Sequence, residues 1–205
     1  RNSTRSRRCG SESRDGSRIG VPLESGQRIV VSGTHASGKS TLVADFAGAH
    51  PEFEVLGDPF ELIDAAADEP HVETFFAQLR LTAARLAELP AGARVIAERG
   101  PIDFLAYLDA LDALRRPTRS RSLLRQGVET TTDAMGHVDL LVLLPLSRRD
   151  GIEVSADEDP ELRRATDAAL LELADDPDLT GNATVVEITG DRASRLRQLE
   201  QLVFG

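Results

Sequence analysis

Residues Gly33-Thr34-His35-Ala36-Ser37-Gly38-Lys39-Ser40 read G-x-x-x-x-G-K-S, a spacing with a definite chemistry. The glycines let the backbone curl so that its N–H groups face a phosphate, the lysine reaches the terminal phosphates, and the hydroxyl is offered to Mg²⁺. Lys39 is the only lysine among 24 basic residues, the other 23 being arginine. A compact ammonium fits inside such a loop, whereas a planar guanidinium does not readily replace it. With Thr41 leading into a helix whose N-terminus adds partial positive charge, residues 33–41 are expected to cradle the phosphates of ATP, with Ser40 as a Mg²⁺ ligand.

A phosphate loop specifies a nucleotide and leaves the reaction open. A guanine-reading N-K-x-D motif is excluded, because it needs a second lysine. No strand closes on an Asp-Glu pair, and Asp139 opens its strand instead of closing it, at the wrong end of a parallel sheet for the ligand crevice. Glu98-Arg99 closes the run RVIAE, where Glu98 can hold Mg²⁺ or its water shell and Arg99 can steady moving phosphoryl charge. Asp58 closes the preceding run FEVLG and is the expected base for an acceptor hydroxyl, with Glu61 in reserve; beside Pro59 it is equally a turn-forming residue. Arg148 and Arg149 follow the next apolar run and, with Arg163 and Arg164, are candidates for a phosphate-clamping lid around residues 146–165. Asp157 to Glu161 read as helix-start charges. The aromatics Phe60, Phe75, Phe76, Phe104 and Tyr107 read as core, with stacking on a base as the alternative. The four histidines are too scattered for a zinc site.

The elements that must position these residues alternate. Short β-branched or apolar runs at 28–31, 53–57, 94–98, 139–145 and 184–188 predict strands. Helical spacing predicts helices over 41–50, with Leu42, Phe46 and Ala49 on one face, over 72–89, 102–114 and 160–174, over a stretch running to about Met135, and from about Asp191 to Val203. Five strands alternating with helices predict an α/β protein with a parallel five-stranded sheet flanked by helices, the fold of P-loop nucleotide-binding enzymes. The arginine-dense run 115–126 reads as a surface insertion.

Composition narrows the function further. The 205 residues, 40% hydrophobic and 28% charged, suit one domain over 27–205. Residues 1–26, rich in Ser, Arg and Gly, have the composition of a disordered tail. The net charge of -10 argues against nucleic acid as a partner; residues 1–20 carry six arginines against two acids, a local +4, which leaves -14 on the remainder. The longest apolar run, residues 140–144, is far too short to span a bilayer, no apolar signal core follows the N-terminal arginines, and Cys9 is the sole cysteine, so a cytoplasmic protein is expected. The expected partner is a small-molecule acceptor, and a homodimer is compatible with the sequence.

At these residues the chain resembles the deoxynucleoside-kinase branch of the P-loop kinases. The resemblance rests on the loop through Thr41, the acid-Pro pair Asp58-Pro59, a Phe-x-x-Gln with a later Arg on one helix (Phe75, Gln78 and Arg85), and Glu98-Arg99-Gly100 where the family has Glu-Arg-Ser. It covers roughly residues 27–110. It implies that Asp58 is the base, that Gln78 reads a nucleobase edge with Arg85 beside it, and that Arg99 binds near the 5′-hydroxyl. Asp58 stands where the family has Glu, Gly100 where it has Ser, and the lid lacks the dense Arg-x-Arg-Glu-Glu run. The expected activity is ATP/Mg²⁺-dependent phosphoryl transfer to a nucleoside or related metabolite; the alternative is a nucleotide-binding regulatory ATPase with no small acceptor.

Overall fold

The computed structural model describes residues 26–61, 72–116, 121–146 and 159–205. Within them β1 (Gln27–Ser32), β2 (Glu54–Leu56), β3 (Arg94–Glu98), β4 (Leu140–Leu143) and β5 (Thr184–Glu187) form one sheet in the order β2-β3-β1-β4-β5, every adjacent pair parallel. Parallel pairing demands long crossovers. They contain α1 (Lys39–Ala49), α2 (Val72–Ala87), α3 (Pro101–Ala113), α4 (Arg121–Met135), α5 (Pro160–Ala174) and α6 (Pro177–Thr180), and α7 (Arg192–Phe204) ends the chain. The expected α/β class and sheet are therefore present.

The central strands are apolar without interruption because both faces are covered. Ile29 and Val31 of β1, with Leu140 and Val142 of β4, pack with Leu42, Val43 and Phe46 of α1 and Leu199 of α7. The intervening Val30, Leu141 and Leu143 pack on the opposite side with α2, α3 and α5. Helix α3 is buried almost all round, from Pro101 to Leu108 without a break; its sequence accordingly shows no polar stripe. Three of the many acids cap helices: Asp159, Asp176 and Asp191 accept from backbone N–H groups at the starts of α5, α6 and α7.

Three expectations need correction. Ala49 is exposed, and Val43 takes its place on the buried face of α1, which begins at Lys39. Residues 115–126 are not a mere surface insertion: Arg116 pairs with Asp159 at the start of α5, and the chain is helical again from Arg121, with Leu123 and Leu124 packed on the core. Helix α6, too short for periodicity to reveal, was not expected. Residues 1–25, most of the expected lid with Arg148 and Arg149, and the segment following Glu61 lie outside the described residues. Among the described residues no helix is long and apolar enough to cross a membrane.

Candidate active site

The loop between β1 and α1 lies at the C-terminal edge of the sheet, where the strand order departs from β1 toward β3 on one side and β4 on the other. Ligands of open parallel sheets bind at such a divergence. Gly38 caps α1 at φ 92°, ψ 15°, a left-handed conformation that glycine adopts freely. A Cβ at Gly33 would lie 2.6 Å from Ser37 Oγ and 2.9 Å from Leu144 O, so that position has room only for hydrogen. Lys39 is 3% exposed, and its Nζ donates to Thr34 O at 2.7 Å. Burial, helped by the nearby Arg99 cation, holds its ammonium down to about 7. Ser40 is exposed and its Oγ donates to Glu98 Oε1 at 2.6 Å, so the two expected Mg²⁺ ligands meet across the β1/β3 pairing.

Arg99 follows directly on β3 in the left-handed region, φ 67°. A non-glycine residue there stores backbone strain of ~1–2 kcal/mol and persists only where its surroundings impose it. They do so here. Its N–H donates to Val31 O at 3.0 Å, its Nε to Asp58 Oδ2 at 2.9 Å and its Nη1 to Gly33 O at 3.2 Å. The guanidinium carbon lies 5.4 to 6.0 Å from the ring centres of Phe60, Phe104 and Tyr107. Burial alone would lower the pKa of this guanidinium; Tyr107, Asp103 and Asp58 more than offset that and hold it above its ordinary range.

Asp103, in the first turn of α3, is the hub beneath this arrangement. It is 1% exposed; its Oδ2 accepts from Ser32 Oγ at 2.6 Å and Gly100 N at 2.9 Å, its Oδ1 accepts from Gly33 N at 2.9 Å, and Arg99 Nη1 lies 3.8 Å away. One carboxylate thus ties the start of the phosphate loop to the turn that presents Arg99. Gly100, where the resembling family carries Ser, leaves no space for a side chain, since a Cβ would sit 2.8 Å from Val30 Cγ1.

On the β2 side Asp58 forms the turn expected of it and also pairs with Arg99. Its Oδ1 accepts from Phe60 N at 3.0 Å and stabilises the short 3₁₀ turn Pro59–Glu61, while Oδ2 holds Arg99. Arg85 ties α2 to the end of β2 by donating from Nη1 to Gly57 O at 3.0 Å. Gln78, also on α2, is fully buried, and among the described residues neither amide atom has a hydrogen-bond partner. A buried amide left so costs ~1–3 kcal/mol. Phe75 and Tyr107 stack at 4.5 Å and 8°, and both are buried, so core packing accounts for them. Burial pushes the Tyr107 phenol up.

The Ser40–Glu98 pair and the Asp58–Arg99 pair, the latter joined to Gly33 O, thus both lie at the loop within which Lys39 donates to Thr34 O. Of the expected lid arginines that are described, Arg163 donates to His35 O and Ala36 O of the loop, while Arg164 is exposed and donates to Pro160 O of its own helix. Sequence reasoning missed Asp103, whose one local signal is an acid in the first turn of a helix opened by Gly-Pro. It also missed Arg195 of α7, 5% exposed, which donates to Ser37 O at 2.7 Å; nothing local distinguishes it among 23 arginines. Beside Arg195 a cleft of about 150 Å³ opens between Gly38, Thr41 and Leu42 on one side and Gly190 and Arg192 on the other.

No protein-family model matches the chain, and no curated protein matches it in sequence. Solved structures match in three dimensions. A thymidylate kinase from Candida albicans superposes with a TM-score of 0.64 at 17% identity, over 87% of this chain and 91% of that one. A deoxyadenosine kinase from M. mycoides, solved with dCMP and dCDP, gives 0.59 at 12% identity, over 86% and 98%. NadR protein in complex with NR gives 0.60 at 16% identity, over 87% of this chain but 52% of NadR. The fold is that of the P-loop kinases.

Proposed function

We propose that the protein transfers a phosphoryl group from ATP to a small hydroxyl acceptor, a nucleoside or related metabolite. The observation that carries this reading is the Asp58–Arg99 pair, a carboxylate and a buried cation held 2.9 Å apart and joined through Gly33 to the phosphate loop. Phosphoryl transfer to an alcohol needs a carboxylate near the acceptor hydroxyl, and Asp58 stands beside the loop on the β2 side. The orphaned amide of Gln78 and the fold shared with a thymidylate kinase and a deoxyadenosine kinase support an acceptor that carries a base.

In this reading the loop N–H groups and Lys39 bind the β- and γ-phosphates, Lys39 having protons to donate beyond the one held by Thr34 O. Asp58 accepts the acceptor's hydroxyl proton through Oδ2, and Arg99, fixed by Asp103 and Gly33, stabilises charge on the transferring group. Gln78 offers one donor and one acceptor to the edge of the base, with Arg85 holding α2 against β2. Arg148 and Arg149 are assigned to the phosphates from the sequence. The Ser40 hydroxyl and Glu98 carboxylate fit Mg²⁺, which prefers one or two protein oxygens together with phosphates and water. Bound there, Mg²⁺ supplies neutralisation of phosphate charge. Among the described residues no cluster of three or more His, Cys, Asp or Glu offers a fuller metal cage.

The experiment is a screen of nucleosides, nucleoside monophosphates and other small alcohols for acceptor-stimulated ADP formation, with folded Lys39→Ala as the control. Stimulation by a nucleoside that is lost in Lys39→Ala supports the proposal. ATP binding without stimulation by any acceptor replaces it with the regulatory reading.

A further inference from the structure

We infer that Arg163 and Arg195 are positioning residues for phosphate binding, acting through the outward-facing carbonyls of the loop rather than on the nucleotide. The inference rests on the phosphate site proposed above and deepens it. From Gly33 to Ser37, five consecutive backbone carbonyls each accept a hydrogen bond from a cationic side chain. Gly33 O accepts from Arg99 Nη1 at 3.2 Å, and Thr34 O from Lys39 Nζ at 2.7 Å. His35 O and Ala36 O accept from Arg163 Nε and Nη2 at 3.0 and 3.2 Å, and Ser37 O from Arg195 Nη1 at 2.7 Å. The four cations come from α1, the β3–α3 turn, α5 and α7.

The physical consequence follows from the peptide plane. The C=O of one residue and the N–H of the next are fixed antiparallel in a rigid unit. Holding the carbonyls of 33–37 therefore sets the directions of the N–H groups of 34–38, the donors a phosphate needs. A cation on the oxygen also polarises the peptide and strengthens its N–H as a donor. Ala36 shows that the bracing is needed: it is left-handed, φ 51°, without being glycine, and its carbonyl is held by Arg163. Arg195 is anchored at both ends of its guanidinium, since Nε donates to Gly190 O at 2.9 Å while Nη1 holds Ser37 O. Helices α5 and α7 thus stiffen the loop backbone from behind, which lowers the cost of ordering it at the moment of binding.

The test uses the full chain and inorganic tripolyphosphate, which has phosphates and no base. Calorimetry compares the unaltered protein with Arg195→Met, Arg195→Lys and Arg163→Gln, and hydrogen exchange follows the amides of residues 34–38 in protein without ligand. Arg195→Met should weaken tripolyphosphate binding by about tenfold or more, the scale of one charge-assisted hydrogen bond, with Arg195→Lys recovering part of the loss. Both Arg195→Met and Arg163→Gln should speed exchange of the loop amides before any anion is added. Unchanged exchange overturns the inference, because residues that merely contact phosphate or base leave the ligand-free loop alone. So does a loss confined to ATP with tripolyphosphate unaffected, which would assign Arg195 to the base-side cleft. If Arg195→Met does not fold, Arg163→Gln, at a half-buried position, decides by the same readouts. If the unaltered protein binds neither tripolyphosphate nor ATP, the phosphate site itself is wrong, an outcome distinct from the others, and the inference falls with it.

Discussion

Asp103→Asn is the sharpest test of how the site is held together. The aspartate uses both oxygens: Oδ2 takes Ser32 Oγ and Gly100 N, and Oδ1 takes Gly33 N. An asparagine can keep the two Oδ2 bonds with its carbonyl, but its NH₂ then faces the Gly33 N–H, donor against donor. Stranding that buried donor costs ~2 kcal/mol, and exchanging charged for neutral acceptors in the remaining bonds costs ~1 kcal/mol more. Arg99, whose side chain is 2% exposed, also loses one of its two carboxylate neighbours, which acts in the same direction. The expected loss is therefore about 3 kcal/mol, and with a urea slope of ~2 kcal/mol/M it lowers the unfolding midpoint by about 1.5 M. Urea unfolding followed by circular dichroism measures it. Asp58→Asn is the internal comparison: its amide oxygen can still accept from Arg99 Nε or from Phe60 N, no buried donor in the loop is stranded and Arg99 keeps Asp103, so its cost should be the smaller of the two, ~1–2 kcal/mol. A midpoint for Asp103→Asn within about 0.3 M of the unaltered protein, or above that of Asp58→Asn, refutes the assignment of Asp103 as hub.

Asp58→Asn should leave ATP affinity nearly intact while acceptor-dependent turnover falls by ~10²-fold or more, the scale for removing a general base; full turnover in Asp58→Asn with loss in Glu61→Gln moves the base three residues along the chain. Gly100→Ser places a Cβ 2.8 Å from Val30 Cγ1 and should cost ~1–3 kcal/mol, partly recovered by Val30→Ala, as thermal melts of the single and double variants would show. Lys39, held down to about 7, must carry its proton to meet phosphate, and a bound phosphate raises its pKa, so binding takes up a proton above neutrality. Affinity for Mg·ATP should accordingly fall by up to about tenfold per pH unit above about pH 7, and Lys39→Met should flatten the slope; calorimetry giving equal slopes for both proteins would contradict the role of Lys39.

The phosphate loop was legible in the sequence because everything it needs is contiguous: Gly33, Gly38, Lys39 and Ser40 act through backbone geometry set over eight residues. The alternation of elements was legible for a related reason, since each apolar run or helical stripe reports its own burial locally. The interior strands of 28–31 and 94–98 read as parallel because they have no polar face to show. Asp58 and Glu98-Arg99 could be picked out as charges at strand ends, but which of them would meet depended on the order β2-β3-β1-β4-β5. That order sets β3 against β1, so Glu98 reaches Ser40 across 58 residues, and β2 against β3, so Asp58 reaches Arg99. Helix α3 was legible as a helix over 102–114, but that it is buried nearly all round came only from the packing of its neighbours, which is the limit of local pattern. Arg163, Arg195 and Asp103 mark the same limit within the site. In a chain with 23 arginines and 34 acids nothing in the sequence separates a surface charge from one that holds a loop carbonyl or a loop N–H. That distinction arises only when α3, α5 and α7 are packed around the loop, because a hydrogen bond needs an orientation and a distance that only the folded chain defines.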